Sequence, residues 1–82
     1  MHIEMIIYEP WEEYRIIKGY VPKPIWKNLA GLCSVKFITE DGEIYKLPLY
    51  AYGRLKLEGK AYISNFYINN KAVDVYLKVV KK

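Results

Sequence analysis

Glutamine does not occur in this 82-residue chain, and threonine, cysteine and histidine occur once each, as Thr39, Cys33 and His2. A single cysteine allows no internal disulfide, and one Cys and one His far apart in sequence leave a zinc site without its usual ligands. Cys33 also has no histidine in the body of the chain to serve as its base, so a buried inert thiol is expected there, not a nucleophile. The five glycines are isolated and each has a turn to make, which excludes a Gly-rich phosphate loop. Acids cluster at Glu12-Glu13 and Glu40-Asp41-Gly42-Glu43, and surface and turn chemistry accounts for both without a catalytic carboxyl pair. No enzyme, cofactor or metal site is therefore expected.

Signal-peptide, transmembrane and lipidation patterns are lacking too, which makes a reducing cytoplasm the expected compartment, with no membrane partner. Lys, Glu, Ile and Tyr dominate while labile amides are few, a bias that suggests a thermophilic source.

What is present is apolar and aromatic. With 52% apolar and 27% charged residues, the composition is that of one folded globular domain over residues 1–82. Nine tyrosines suit strands, where the ring packs and the hydroxyl reaches water. The formal charge of +4 attracts polyanions without naming one.

Along the chain, His2 to Tyr8 alternates so that Ile3, Met5 and Ile7 share a face, predicting a strand that stops at Glu9-Pro10. Trp11 to Tyr20 reads two ways. Pro10, Glu12, Glu13 and Gly19 punctuate it like a helix, whereas Tyr14, Ile16, Lys18 and Tyr20 alternate as a strand, which is the preferred reading. Pro22 and Pro24 then open a short helix with Ile25 and Leu29 on one face and Gly31 at its end. A hairpin follows. A loop of Glu40-Asp41-Gly42 with Gly42 left-handed pairs Val35 with Leu47 and Phe37 with Tyr45, and keeps Cys33, Val35, Phe37, Tyr45, Leu47 and Leu49 on one side. Arg54 to Glu58 alternates as a strand with Leu55 and Leu57 inward. A second hairpin turning at Asn69-Asn70 sets Phe66 against Val73, Ser64 against Val75 and Tyr62 against Leu77. Lys81-Lys82 forms a basic tail.

Basic and aromatic residues interleave around the expected helix start: Arg15, Lys18, Lys23 and Lys27 with Trp11, Tyr14, Tyr20 and Trp26. Lysines neutralise phosphates, helix N-termini accept anions and aromatic rings stack on bases, so Arg15, Lys18, Lys23, Trp26 and Lys27 are the candidate nucleic-acid contacts.

The order of these features resembles the AbrB/SpoVT swapped-hairpin family of DNA-binding proteins. The likeness covers residues 13–49 and is carried by Arg15-Ile16-Ile17, by Val21-Pro22-Lys23-Pro24-Ile25-Trp26-Lys27-Asn28-Leu29, by Val35-Lys36-Phe37, and by Asp41-Gly42 and Leu47-Pro48. Trp26 stands where the family commonly has Arg, and residues 50–82 have no counterpart in its minimal domain. The resemblance implies an obligate dimer of interleaved hairpins, with Arg15, Lys18, Lys23 and Lys27 set against DNA phosphates.

The expected fold is a mainly β, α+β domain of about six strands and one short helix, in the order β-β-α-β-β-β-β, packed as a small barrel-like or swapped-hairpin unit. The leading expected function is that of a non-enzymatic DNA-binding protein, a small transcriptional regulator acting as a homodimer. A protein-binding module using exposed tyrosines or a strand edge is the alternative, and RNA or single-stranded nucleic acid binding is a further one.

Overall fold

The computed structural model describes residues 1–9, 12–23 and 34–80. Among the described residues six strands and one helix follow one another: β1 (His2–Tyr8), β2 (Arg15–Tyr20), β3 (Ser34–Thr39), β4 (Ile44–Pro48), α1 (Leu49–Glu58), β5 (Lys60–Ile68) and β6 (Lys71–Val79). The strands form a single antiparallel sheet in the order β4-β3-β2-β1-β6-β5. The domain is thus mainly β. The helix expected after Pro22 runs into residues outside the described set, as do Cys33 and the family-like run from Pro24 to Leu29.

β1 occupies the centre because its alternation is complete. Ile3, Met5 and Ile7 are buried against Gly19 and Ile17 of β2 on one side and Val79, Leu77 and Val75 of β6 on the other. Arg15–Tyr20 is a strand, as the alternation from Tyr14 indicated. The first hairpin has the register that the apolar pattern selects, with Val35 opposite Leu47 and Phe37 opposite Tyr45. Its loop closes through the Gly42 N–H to the Thr39 carbonyl at 3.0 Å, and Gly42 takes φ +88°, a left-handed turn that a side chain would strain. Thr39 finishes the closure by accepting the Glu43 N–H on its hydroxyl at 2.9 Å.

Two expectations are corrected. Arg54 to Glu58 is not a strand but the second half of α1. Ala51, Tyr52 and Leu55 are buried at helical spacing, whereas Leu57, expected inward, is 87% exposed. β4 stops at Pro48, which caps the helix, and the Gly59 N–H donates to the Leu55 carbonyl at 2.9 Å to end it. In the second hairpin Phe66 does face Val73, but Ile63, not Ser64, faces Val75, and Ala61, not Tyr62, faces Leu77. The cause is a bulge between Ile63 and Phe66, where Asn65 takes φ +54° and absorbs one extra residue. Ala61, Ile63, Phe66 and Ile68 consequently all point into the core, and Tyr62 points out.

The sheet is curled into a half-barrel. β4 and β5 are its two edges, five inter-strand spacings apart, about 24 Å if the sheet were flat. Yet the rings of Tyr45 on β4 and Phe66 on β5 lie only 6.3 Å apart. α1 crosses the opening, packing chiefly on β5 and also on β3, β4 and β6. The core, including Phe37, Leu47, Leu55 and Leu77, fills the space between helix and sheet. Among the described residues nothing covers the outer face of the sheet.

Candidate nucleic-acid interface

The outer face is built by the residues that alternate with the core. Because the six strands are in register, these residues form rows across the sheet. One row runs Lys60, Lys78, Glu4, Lys18 over β5, β6, β1 and β2. Two residues further along each strand, about 7 Å away, runs a second row of Tyr62, Tyr76, Ile6 and Ile16. On the opposite side of the lysine row lies a third, His2, Tyr20, Ile38 and Ile44 over β1, β2, β3 and β4.

Four tyrosine rings make a continuous track on this face. Tyr62 and Tyr76 are tilted at 4.8 Å, Tyr76 and Tyr8 meet edge-on at 5.3 Å, and Tyr8 reaches Tyr14 at 5.9 Å. Such contacts stabilise the sheet by roughly 0.5–1.5 kcal/mol per pair beyond area burial, but the rings remain between 43% and 59% exposed. Partial desolvation, then the Asp74 carboxylate beside it, raises the Tyr62 hydroxyl above its ordinary pKa, so it stays a neutral donor. His2 and Tyr20 form a separate aromatic pair at 6.1 Å.

Two hollows interrupt the face. One, of about 760 Å³, is bounded by Ile6, Tyr62, Tyr76, Lys60 and Lys78 and by Arg54 and Glu58 of α1. The other, of about 600 Å³, is bounded by His2, Glu4, Lys18, Tyr20, Ile38 and Glu40. Among the described residues, no buried side-chain nitrogen or oxygen lacks a hydrogen-bond partner. Among the described residues, most of the exposed aromatic side chains gather on this face.

The residues singled out from the sequence separate in space. Lys18 is in the lysine row, opposite Glu4. Arg15 has the parity of the core face, opposite Ile7, and its guanidinium lies 3.6 Å from the Glu9 carboxylate. Lys23 is exposed just beyond β2, and Trp26 and Lys27 lie outside the described residues. Lys60 and Lys78, missed by sequence reading, face each other directly across β5 and β6. Their pairing depends on the bulge, because the unbulged register sets Lys78 opposite Ala61 instead.

No known protein family, curated protein or solved structure matches the chain. No helix among the described residues is long and apolar enough to cross a membrane.

Proposed function

We propose that this chain is a non-enzymatic binding protein for single-stranded nucleic acid, using the outer face of its sheet. The observation that carries this reading is the track of four half-exposed tyrosines, two of them beside a row of three lysines and Glu4, on a face that no described residue covers. Exposed rings on a sheet stack on unpaired bases, and lysines beside them neutralise phosphates. Duplex DNA, the leading sequence-based expectation, draws less support here. Its bases are already stacked, and an outer sheet face offers no protruding helix or ribbon to enter a groove.

Fluorescence anisotropy of labelled oligouridylate, oligothymidylate and a DNA duplex tests the reading. Binding of the single strands that weakens with salt, and that falls about 5- to 100-fold in Tyr76→Ala but not in Tyr50→Ala on α1, is the expected result. Equal or tighter duplex binding would return the assignment to duplex DNA. Binding of neither, at low salt, would leave the tyrosine face as a protein-docking surface.

A further inference from the structure

The lysine row has an aromatic row on each side of it, and this arrangement determines how a strand lies. Lys60, Lys78 and Lys18 occupy one line across the sheet, with Glu4 of β1 between Lys78 and Lys18. Tyr62 and Tyr76 are two residues away in one direction, and Tyr20 is two residues away in the other. Directly opposed like charges such as Lys60 and Lys78 destabilise a sheet, and among the described residues neither lysine has an ion pair. An anion bridging the two would relieve that repulsion.

We infer that a single strand crosses the sheet perpendicular to the β-strands, its phosphates following Lys60, Lys78 and Lys18 and its bases splayed to opposite sides. One base stacks in the hollow walled by Tyr62 and Tyr76, and a neighbouring one in the hollow walled by Tyr20 and His2. This inference rests on the proposed single-strand binding and adds its path and footprint. The lysine row spans three inter-strand spacings, about 14 Å, which fits a segment of roughly two to three nucleotides, the number that sheet-borne aromatic rings commonly stack.

The experiment measures hexauridylate and hexathymidylate affinity between 50 and 200 mM salt for the full chain and four variants. Three phosphate contacts on a single strand predict about a 20-fold loss of affinity across that range, and one remaining contact about a 3-fold loss. Lys60→Gln combined with Lys78→Gln should therefore flatten the salt dependence to the lower figure. Lys36→Gln with Lys46→Gln, an opposed pair on β3 and β4 outside the row, should leave it unchanged. Tyr20→Ala should weaken both hexamers at least about 5-fold. If Tyr76→Ala weakens binding while Tyr20→Ala is silent, or if both lysine pairs contribute equally, the crossing path is wrong and the single-strand reading stands. If no oligonucleotide binds, both fall. Unchanged far-ultraviolet circular dichroism shows that each variant is folded.

Discussion

The ring of Phe37 lies where a side chain on Gly19 would have to be. A Cβ placed on Gly19 would come within 2.7 Å of the Phe37 ring and would also strike the Ile38 carbonyl oxygen. Gly19 faces the core between Ile3 of β1 and Thr39 of β3, so this bare stretch of backbone is the floor on which Phe37, the largest fully buried side chain among the described residues, rests. The ring is boxed in by the core and the carbonyl by the β2–β3 ladder, so neither can yield cheaply.

Gly19→Ala should accordingly destabilise the domain by about 2–3 kcal/mol through overpacking. Urea unfolding measures this. Adding Phe37→Leu, which by itself costs stability, should recover part of the loss if the clash with the ring is the cause. Strict additivity of the two changes would show that the backbone clash alone matters.

How far the fold was legible depended on whether two neighbouring signals agreed. β1 and the first hairpin were readable because alternation, Gly42 and the apolar match of Phe37 with Tyr45 all indicate one register. α1 was not, because Arg54-Leu55-Lys56-Leu57-Glu58 alternates perfectly at a period of two, and five residues are too few to separate the periods. A longer window holds the missing signal: Ala51, Tyr52 and Leu55 between Pro48 and Gly59 fit a helix stripe with a start and a stop. Likewise Ile63 and Phe66 are three apart, a spacing that puts them on opposite faces unless an extra residue intervenes, and the Ser64-Asn65 pair between them was the available clue. The aromatic and lysine rows could not be read at all. They exist only once six strands are aligned, because Lys60, Lys78, Glu4 and Lys18 come from both ends of the chain.

The bulge provides a prediction of its own. Asn65 is in the left-handed region, φ +54°, where asparagine and glycine are tolerated and a β-branched residue costs about 1–2 kcal/mol. Asn65→Gly should leave the unfolding midpoint nearly unchanged, and Asn65→Val should lower it by roughly 5–15 °C. Equal effects of the two would mean that the strain lies elsewhere in β5.

Alkaline pH should unfold the protein more steeply than its lysines alone require. Burial raises the hydroxyls of Tyr45 and Tyr52 above the ordinary tyrosine value near 10. Tyr45 also donates to the Glu43 carboxylate at 3.0 Å, which disfavours its ionisation further. With folded pKa values above the unfolded one, the native state holds more protons than the unfolded chain. Their stabilising contribution is complete below pH 10 and is lost as pH rises from there through the folded values. Urea midpoints measured from pH 8 to pH 11.5 should therefore fall above pH 10, and should fall less in Tyr45→Phe with Tyr52→Phe. A decline that is the same in the double variant would assign it to other groups.

Glu4 is the one carboxylate in the lysine row, directly opposite Lys78 on one side and Lys18 on the other. Its two roles have opposite signs. In the free protein it offsets the repulsion between neighbouring lysines, a cross-strand effect of a few tenths of a kcal/mol to about 1 kcal/mol. In a complex it repels the phosphates that those lysines attract. Glu4→Gln keeps the shape and removes the charge, so it should lower the unfolding midpoint slightly while tightening hexauridylate binding about two- to five-fold at low salt, a difference of roughly 0.5–1 kcal/mol. The tightening should disappear above about 0.5 M salt, where the screening length falls well below the row's width. Affinity that drops in Glu4→Gln instead would mean that the carboxylate accepts a hydrogen bond from the ligand, and the strand would then have to place a base, not a phosphate, over Glu4.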